Sequence, residues 1–106
     1  MTLSDHLNDL VWEAHKTAVE KGWHEPAVSV PHALMMVVDE ITEMLAEFRQ
    51  EQVDLDKVYE EMADVFIRLF DFCGSQDMSG SKLAEAITYK MEKNKSRSYR
   101  HGNKPF

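Results

Sequence analysis

The stretch from Asp54 to Gly74 constrains the fold more than any other part of this chain. Read at 100° per residue, Val58, Met62, Val65, Phe66 and Leu69 form one apolar face, and Ala63, Ile67 and Phe70 form another. Its polar residues Glu61, Asp64, Arg68 and Asp71 are confined to one narrow strip. A helix that is apolar on two sides must be covered on two sides. A chain of 106 residues has little core with which to do so. The pattern therefore predicts a central helix, with its second apolar face meeting another copy in a homo-oligomer, a dimer or tetramer.

The rest of the chain reads as helix too. Leu7, Leu10, Val11, Ala14 and Ala18 give a 3.6-residue stripe over Ser4 to Lys21, closed by Gly22 as a left-handed cap. After a loop around Pro26, Ser29 is the expected N-cap of a helix from Pro31 to Gln50. In it Leu34, Val37, Val38, Ile41, Leu45 and Phe48 cluster within about 100° of arc. Asp54 caps the third helix, and a fourth covers Ser81 to Lys95 with Leu83, Ala84, Ile87 and Met91. No strand alternation, repeat or second domain is visible. The expected fold is all-α, a four-helix bundle-like single domain over residues 1–106, with a loop-like basic tail over 96–106.

Charge is unevenly spread. Lys90 to Lys104 holds six basic residues and one acid, Glu92, whereas the remainder holds six basic and eighteen acidic residues. An acidic body with a basic end is a poor general nucleic-acid binder, because phosphate contacts dominate that affinity. A small polyanion held between a metal and the basic end suits both halves. The single Cys73 excludes an internal disulfide and suits a reducing cytoplasm; its apolar neighbours make it a buried structural thiol. No apolar run reaches the roughly 20 residues of a membrane span, and Asp5, His6 and Asp9 stand where a signal peptide would be basic and then apolar.

Chemistry is carried by two acidic phrases, Asp39-Glu40-Ile41-Thr42-Glu43 and Glu61-Met62-Ala63-Asp64. Each puts two carboxylates three residues apart, and such residues are neighbours on a helix surface. A single Glu-x-x-Glu is ordinary solvated surface. Here Glu40, Glu43 and Glu47 form a stripe bordering the apolar face, flanked by Met36 and Met44, while Asp39 points elsewhere. Two such helices packed together would gather Glu40, Glu43, Glu61 and Asp64, and four facing anions need a cation. All-oxygen ligands favour Mg²⁺, or Mn²⁺, over zinc or copper.

The order of motifs, Glu40-x-x-Glu43, Glu61-x-x-Asp64 and Lys90-x-x-x-Asn94-x-x-Arg97, resembles the MazG-like nucleotide pyrophosphohydrolases of the all-α nucleoside triphosphate pyrophosphatase superfamily. Local phrases add to it: Lys21-Gly22-Trp23, Ala63-Asp64-Val65-Phe66-Ile67-Arg68 and Tyr99-Arg100-His101-Gly102. The resemblance covers about Lys21 to Lys104 and departs from the family at Asp39-Glu40, where Glu-Glu is frequent. It implies Mg²⁺-dependent cleavage of nucleoside triphosphates between the α and β phosphates, in the service of removing unwanted nucleotides. By position it implies Glu40, Glu43, Glu61 and Asp64 as metal ligands and Lys90, Asn94 and Arg97 as nucleotide contacts. A carboxylate not fully engaged with metal would orient the attacking water; Glu43 is preferred to Glu40 for that role.

Other residues have competing readings. Trp23 either stacks on a base, as the resemblance allows, or plugs the core. His24, His32 and His101 are metal-ligand types but read as surface or structural residues, and the absence of any Glu-x-x-His argues against a di-iron bundle. Arg68 is expected to pair with a ligand carboxylate or with Asp71. The seven methionines read as core filler. Two rival functions stand beside the enzyme: a non-catalytic helical interaction module with solvated acidic faces, and a nucleic-acid binder acting through the basic tail.

Overall fold

The computed structural model describes residues 1–105, with His101 and Asn103 described by their backbone alone. The described chain is all-helical: α1 (Leu3–Glu20), α2 (Val30–Phe48), α3 (Leu55–Ser75), α4 (Gly80–Lys95) and a one-turn α5 (Arg100–Asn103). The last is a difference from the loop expected for the tail.

Local chemistry explains the boundaries. Thr2 caps α1 in a reciprocal capping box with Asp5, whose carboxyl the Thr2 amide and hydroxyl hold below its ordinary value. Past the other end, Gly22 adopts φ +81°, Trp23 N–H reaches the Ala18 carbonyl and Gly22 N–H the Val19 carbonyl. These two bonds make a Schellman stop. Ser29 caps α2, its hydroxyl accepting from His32 N–H, and Asp54 caps α3, accepting from Asp56 N–H. The fourth helix starts one residue earlier than the pattern suggests, at Gly80, capped by Ser79.

The topology places α3 at the centre. α3 packs along both α1 and α2, and α4 packs along α1; among the described residues no other pair of helices shares more than marginal contact. The α1–α4 seam is close because Gly80 has no side chain. A Cβ there would overlap the backbone of Leu7 and Asn8. The Asn8 side chain then spans the seam, its amide donating to Ser81 Oγ at 2.6 Å and its carbonyl accepting from Ser81 N–H at 2.8 Å. Leu7, Val11, Val37, Val58, Cys73 and Ala84 form the buried apolar core. Cys73 is buried as expected, and burial pushes its thiol pKa up.

That core is thin. The accessible surface is 8335 Å², against about 6,100 Å² for a folded monomer of 12.3 kDa. The radius of gyration is 16.4 Å, against about 13 Å for a closed globule of this length. The surplus surface has an identifiable place. Along α2, Leu34, Val38, Ile41, Leu45 and Phe48 are 41%, 47%, 45%, 47% and 51% exposed. Their alternating spacings of four and three are those of a coiled-coil seam. On α3, Phe66 and Ile67 are half-exposed as well. The apolar arc of α2 that the sequence pattern predicts is thus largely open within one chain; only Val37 of that set is buried. Among the described residues no helix is long and apolar enough to cross a membrane.

Candidate metal centre

The acidic site arises where the middle of α2 crosses the first half of α3. Glu40 and Glu43 stand one turn apart on α2, and Glu61 faces them from α3. Each of the three offers a carboxylate oxygen, and these oxygens lie within 4.8 Å of one another. Glu40 is only 9% exposed. Its Oε1 accepts from Arg68 Nε at 3.0 Å, which places one positive charge against the cluster. Of the two partners foreseen for Arg68, the structure selects this carboxylate.

The other oxygens of the cluster are less well served. Glu40 Oε2 and Glu61 Oε2 are buried and have no hydrogen-bond partner among the described residues. Buried polar atoms in native proteins are overwhelmingly paired, so an orphan acceptor on each of two converging carboxylates marks a site that suits a cation. Glu43 sits at the exposed side. Its pKa is raised above the usual carboxylate value, first by its contact with Glu40, then by the charge of Glu40, by partial desolvation and by Glu61. The donor set is all oxygen, which fits Mg²⁺ or Mn²⁺.

Asp64 does not join the three converging carboxylates. It lies one turn further along α3, exposed, and lines a neighbouring cleft of about 520 Å³ together with Glu40, Arg68 and Trp23. The remaining walls of the cleft are mostly apolar and come from α1 and α3, including Leu10, Ala14, Ile67 and Phe70. Trp23, the residue with two competing readings, is 56% exposed and stands beside Arg68, whose guanidinium carbon is 5.3 Å from the ring centroid. Its exposure disfavours the core-plug reading.

Lys90 and Asn94 lie on α4 and Arg97 just beyond it, all exposed. None of the three lines this cleft within one chain. The carboxylates and the basic residues that the sequence pattern joins are therefore not brought together by a single copy. His32 is exposed in the first turn of α2, and the side chain of His101 lies outside the described residues.

One cluster was not foreseen. His15 Nδ1 lies 2.9 Å from Asp71 Oδ1, and His24 Nε2 lies 2.8 and 3.0 Å from the two oxygens of the same carboxylate. The sequence held one signal for it. His15 continues the α1 stripe begun by Leu7 and Val11, and a polar residue on a packed face needs a partner. That the partner would be Asp71, 56 residues away, is a product of the fold.

Compared with family models, curated proteins and solved structures, the chain matches none in any of the three.

Proposed function

We propose that the protein is a Mg²⁺-dependent nucleoside triphosphate pyrophosphohydrolase of the MazG-like kind, acting as a homo-oligomer. The observation that carries the reading is the convergence of Glu40, Glu43 and Glu61 at the α2–α3 crossing, with a buried, partnerless oxygen on Glu40 and another on Glu61. A bound Mg²⁺ or Mn²⁺ would neutralise phosphate charge and acidify a bound water.

The residues divide the remaining work. Glu40, Glu43 and Glu61 supply the hard oxygen ligands, with Asp64 next in line from the cleft. Glu43, the exposed member of the three, is assigned as the proton acceptor; its neighbours hold its pKa above the usual carboxylate value. It takes the proton of the attacking water; the water oxygen bonds to the α-phosphorus as the α–β bridging bond breaks. The products are a monophosphate and pyrophosphate. Arg68 holds Glu40 in place and borders Trp23, which offers a flat apolar face to a base at the mouth of the cleft.

In this reading a second copy covers the open α2 seam and presents Lys90, Asn94 and Arg97 to the polyphosphate, since one copy does not bring them to the cleft. The surplus of about 2,200 Å² per chain is of the size that large obligate interfaces bury.

The test is product analysis over a panel of canonical and modified nucleoside triphosphates with Mg²⁺. Equal release of monophosphate and pyrophosphate is expected; orthophosphate would reject the cleavage point. The open α2 seam also favours a rival, a helical interaction module, and absence of both turnover and Mg²⁺ binding would select it. Strong, salt-sensitive binding of DNA or RNA would select the basic tail as a nucleic-acid interface.

A further inference from the structure

We infer that His15, His24 and Asp71 form a second metal site, of different chemistry, that takes a borderline-soft divalent cation of the zinc type. The two imidazoles and the carboxylate come from three separate segments: α1, the loop after α1, and α3. Their donor atoms lie within 4.8 Å of one another, and all three residues are partly buried. Two imidazole nitrogens and one carboxylate oxygen are a donor set that zinc favours and magnesium does not. This proposal is independent of the pyrophosphohydrolase reading.

Three further observations favour a metal over a plain hydrogen-bonded cluster. The rings of His15 and His24 meet edge to face, 5.0 Å between centroids and 70° between planes, so their nitrogens approach Asp71 from different directions. Tetrahedral coordination needs such a spread. His15 is braced from behind by Gly74, where a Cβ would overlap the His15 Cβ and Cγ. Next to His24 and Asp71 lies a small cavity of about 30 Å³, also bordered by Ser75 and Trp23. It has the volume for one water, which a three-ligand zinc site needs as its fourth position. Present nitrogen–oxygen distances of 2.8–3.0 Å would open to about 3.3–3.6 Å around a tetrahedral ion with bonds of about 2.0–2.2 Å. That is a small side-chain adjustment. Occupancy would fasten the loop that carries Trp23 to α1 and α3, and so fix the rim of the cleft.

The metal-free and metal-bound states differ in a readable way. Without metal, the carboxylate can only accept, so Nδ1 of His15 and Nε2 of His24 carry the hydrogens that face it. With zinc those two nitrogens lose their hydrogens and become ligands, and each ring keeps a hydrogen on its far nitrogen only. Zn²⁺ alone, titrated into the full chain, should produce this change in long-range proton–nitrogen spectra of the imidazoles of the wild-type protein. Hydrogens still on Nδ1 of His15 and Nε2 of His24 at saturating Zn²⁺ would overturn the proposal, and this measurement needs no variant to fold. As the second arm, calorimetry is run on a Glu43→Gln, Glu61→Gln background that weakens the acidic site. One Zn²⁺ per chain should still bind. Adding His15→Ala or Asp71→Asn should weaken it at least about 100-fold, the upper end of what loss of a mere outer-shell partner costs. Equal Zn²⁺ affinity with and without those changes would refute the site.

Discussion

If the open α2 seam is covered by a second copy, replacing Ile41 and Leu45 together by Gln should leave the protein as single chains. Both side chains lie on the open α2 seam, 45% and 47% exposed within one copy. Complete burial of such a side chain is worth about 1.5–3 kcal/mol, so covering the half still exposed contributes roughly 1 kcal/mol each. A twofold contact counts every position twice. Four side chains then give about 4 kcal/mol, which is nearly three decades in dissociation constant. Gln is a good helix former and uncharged, so α2 itself and the charge around Glu40 and Glu43 are preserved. Sedimentation velocity over a concentration series is the assay, with far-ultraviolet circular dichroism to follow helicity. Wild-type protein should sediment as an oligomer at micromolar concentration and melt at a temperature that rises with concentration. The double variant should sediment as a monomer and lose that concentration dependence. A wild-type protein that stays monomeric at tens of micromolar (roughly the ceiling of a transient contact), or a variant that assembles as before, would refute the reasoning from the exposed seam.

Glu43→Gln should abolish Mg²⁺-dependent turnover and raise the melting temperature of the metal-free protein, because one of three facing anions is removed. The raised pKa of Glu43 also sets a sign: the folded state holds the proton more tightly than the unfolded one, so metal-free stability should fall as pH rises from its ordinary 4.5 through the raised folded value. Thermal melts with and without Mg²⁺ and with Glu43→Gln check this; a pH slope in that window that survives the substitution would assign it to another group. Arg97→Ala should leave Mg²⁺ binding to the free protein nearly intact and weaken nucleotide binding or catalysis, as read by calorimetry and initial rates. If a second copy presents Arg97, mixing Arg97→Ala with Glu61→Gln chains should regenerate activity that neither has alone. Gly80→Ala should destabilise the fold by about 1–3 kcal/mol in urea titration, as a methyl driven into the Leu7–Asn8 backbone overpacks the α1–α4 seam.

Local rules were enough for much of this architecture. Ser29 and Asp54 sit at their caps because only short polar side chains reach back to the free amides, and Gly22 ends α1 because its φ of +81° is open to glycine. The period of the α3 residues correctly made that helix the centre. Gly80 misled, because a poor helix former at the start of a segment reads as loop, and only the approach of α4 to α1 explains it. The acidic site was legible as residues and not as geometry. Glu40, Glu43 and Glu61 converge while Asp64 faces the cleft, and that division depends on the axial offset between α2 and α3, which spacing within each helix leaves undetermined. The α2 arc had the same character: periodicity grouped Leu34 to Phe48 on one face, and could not say what packs against it. His15, His24 and Asp71 meet across three segments with no shared local pattern.

The packing of α1 and α2 onto α3 has a consequence for how an elongating chain reaches this state. Helices that follow each other in sequence commonly fold as hairpins, closing short loops first. Here α1 and α2 share at most marginal contact, and both wait for α3, while α4 returns to α1 across more than half of the chain. During synthesis at about 5–20 residues per second, the first two helices therefore emerge with their apolar stripes uncovered for several seconds. The emergence of α3 is the event at which tertiary structure can begin, and before that point the nascent chain carries two unpaired amphipathic helices.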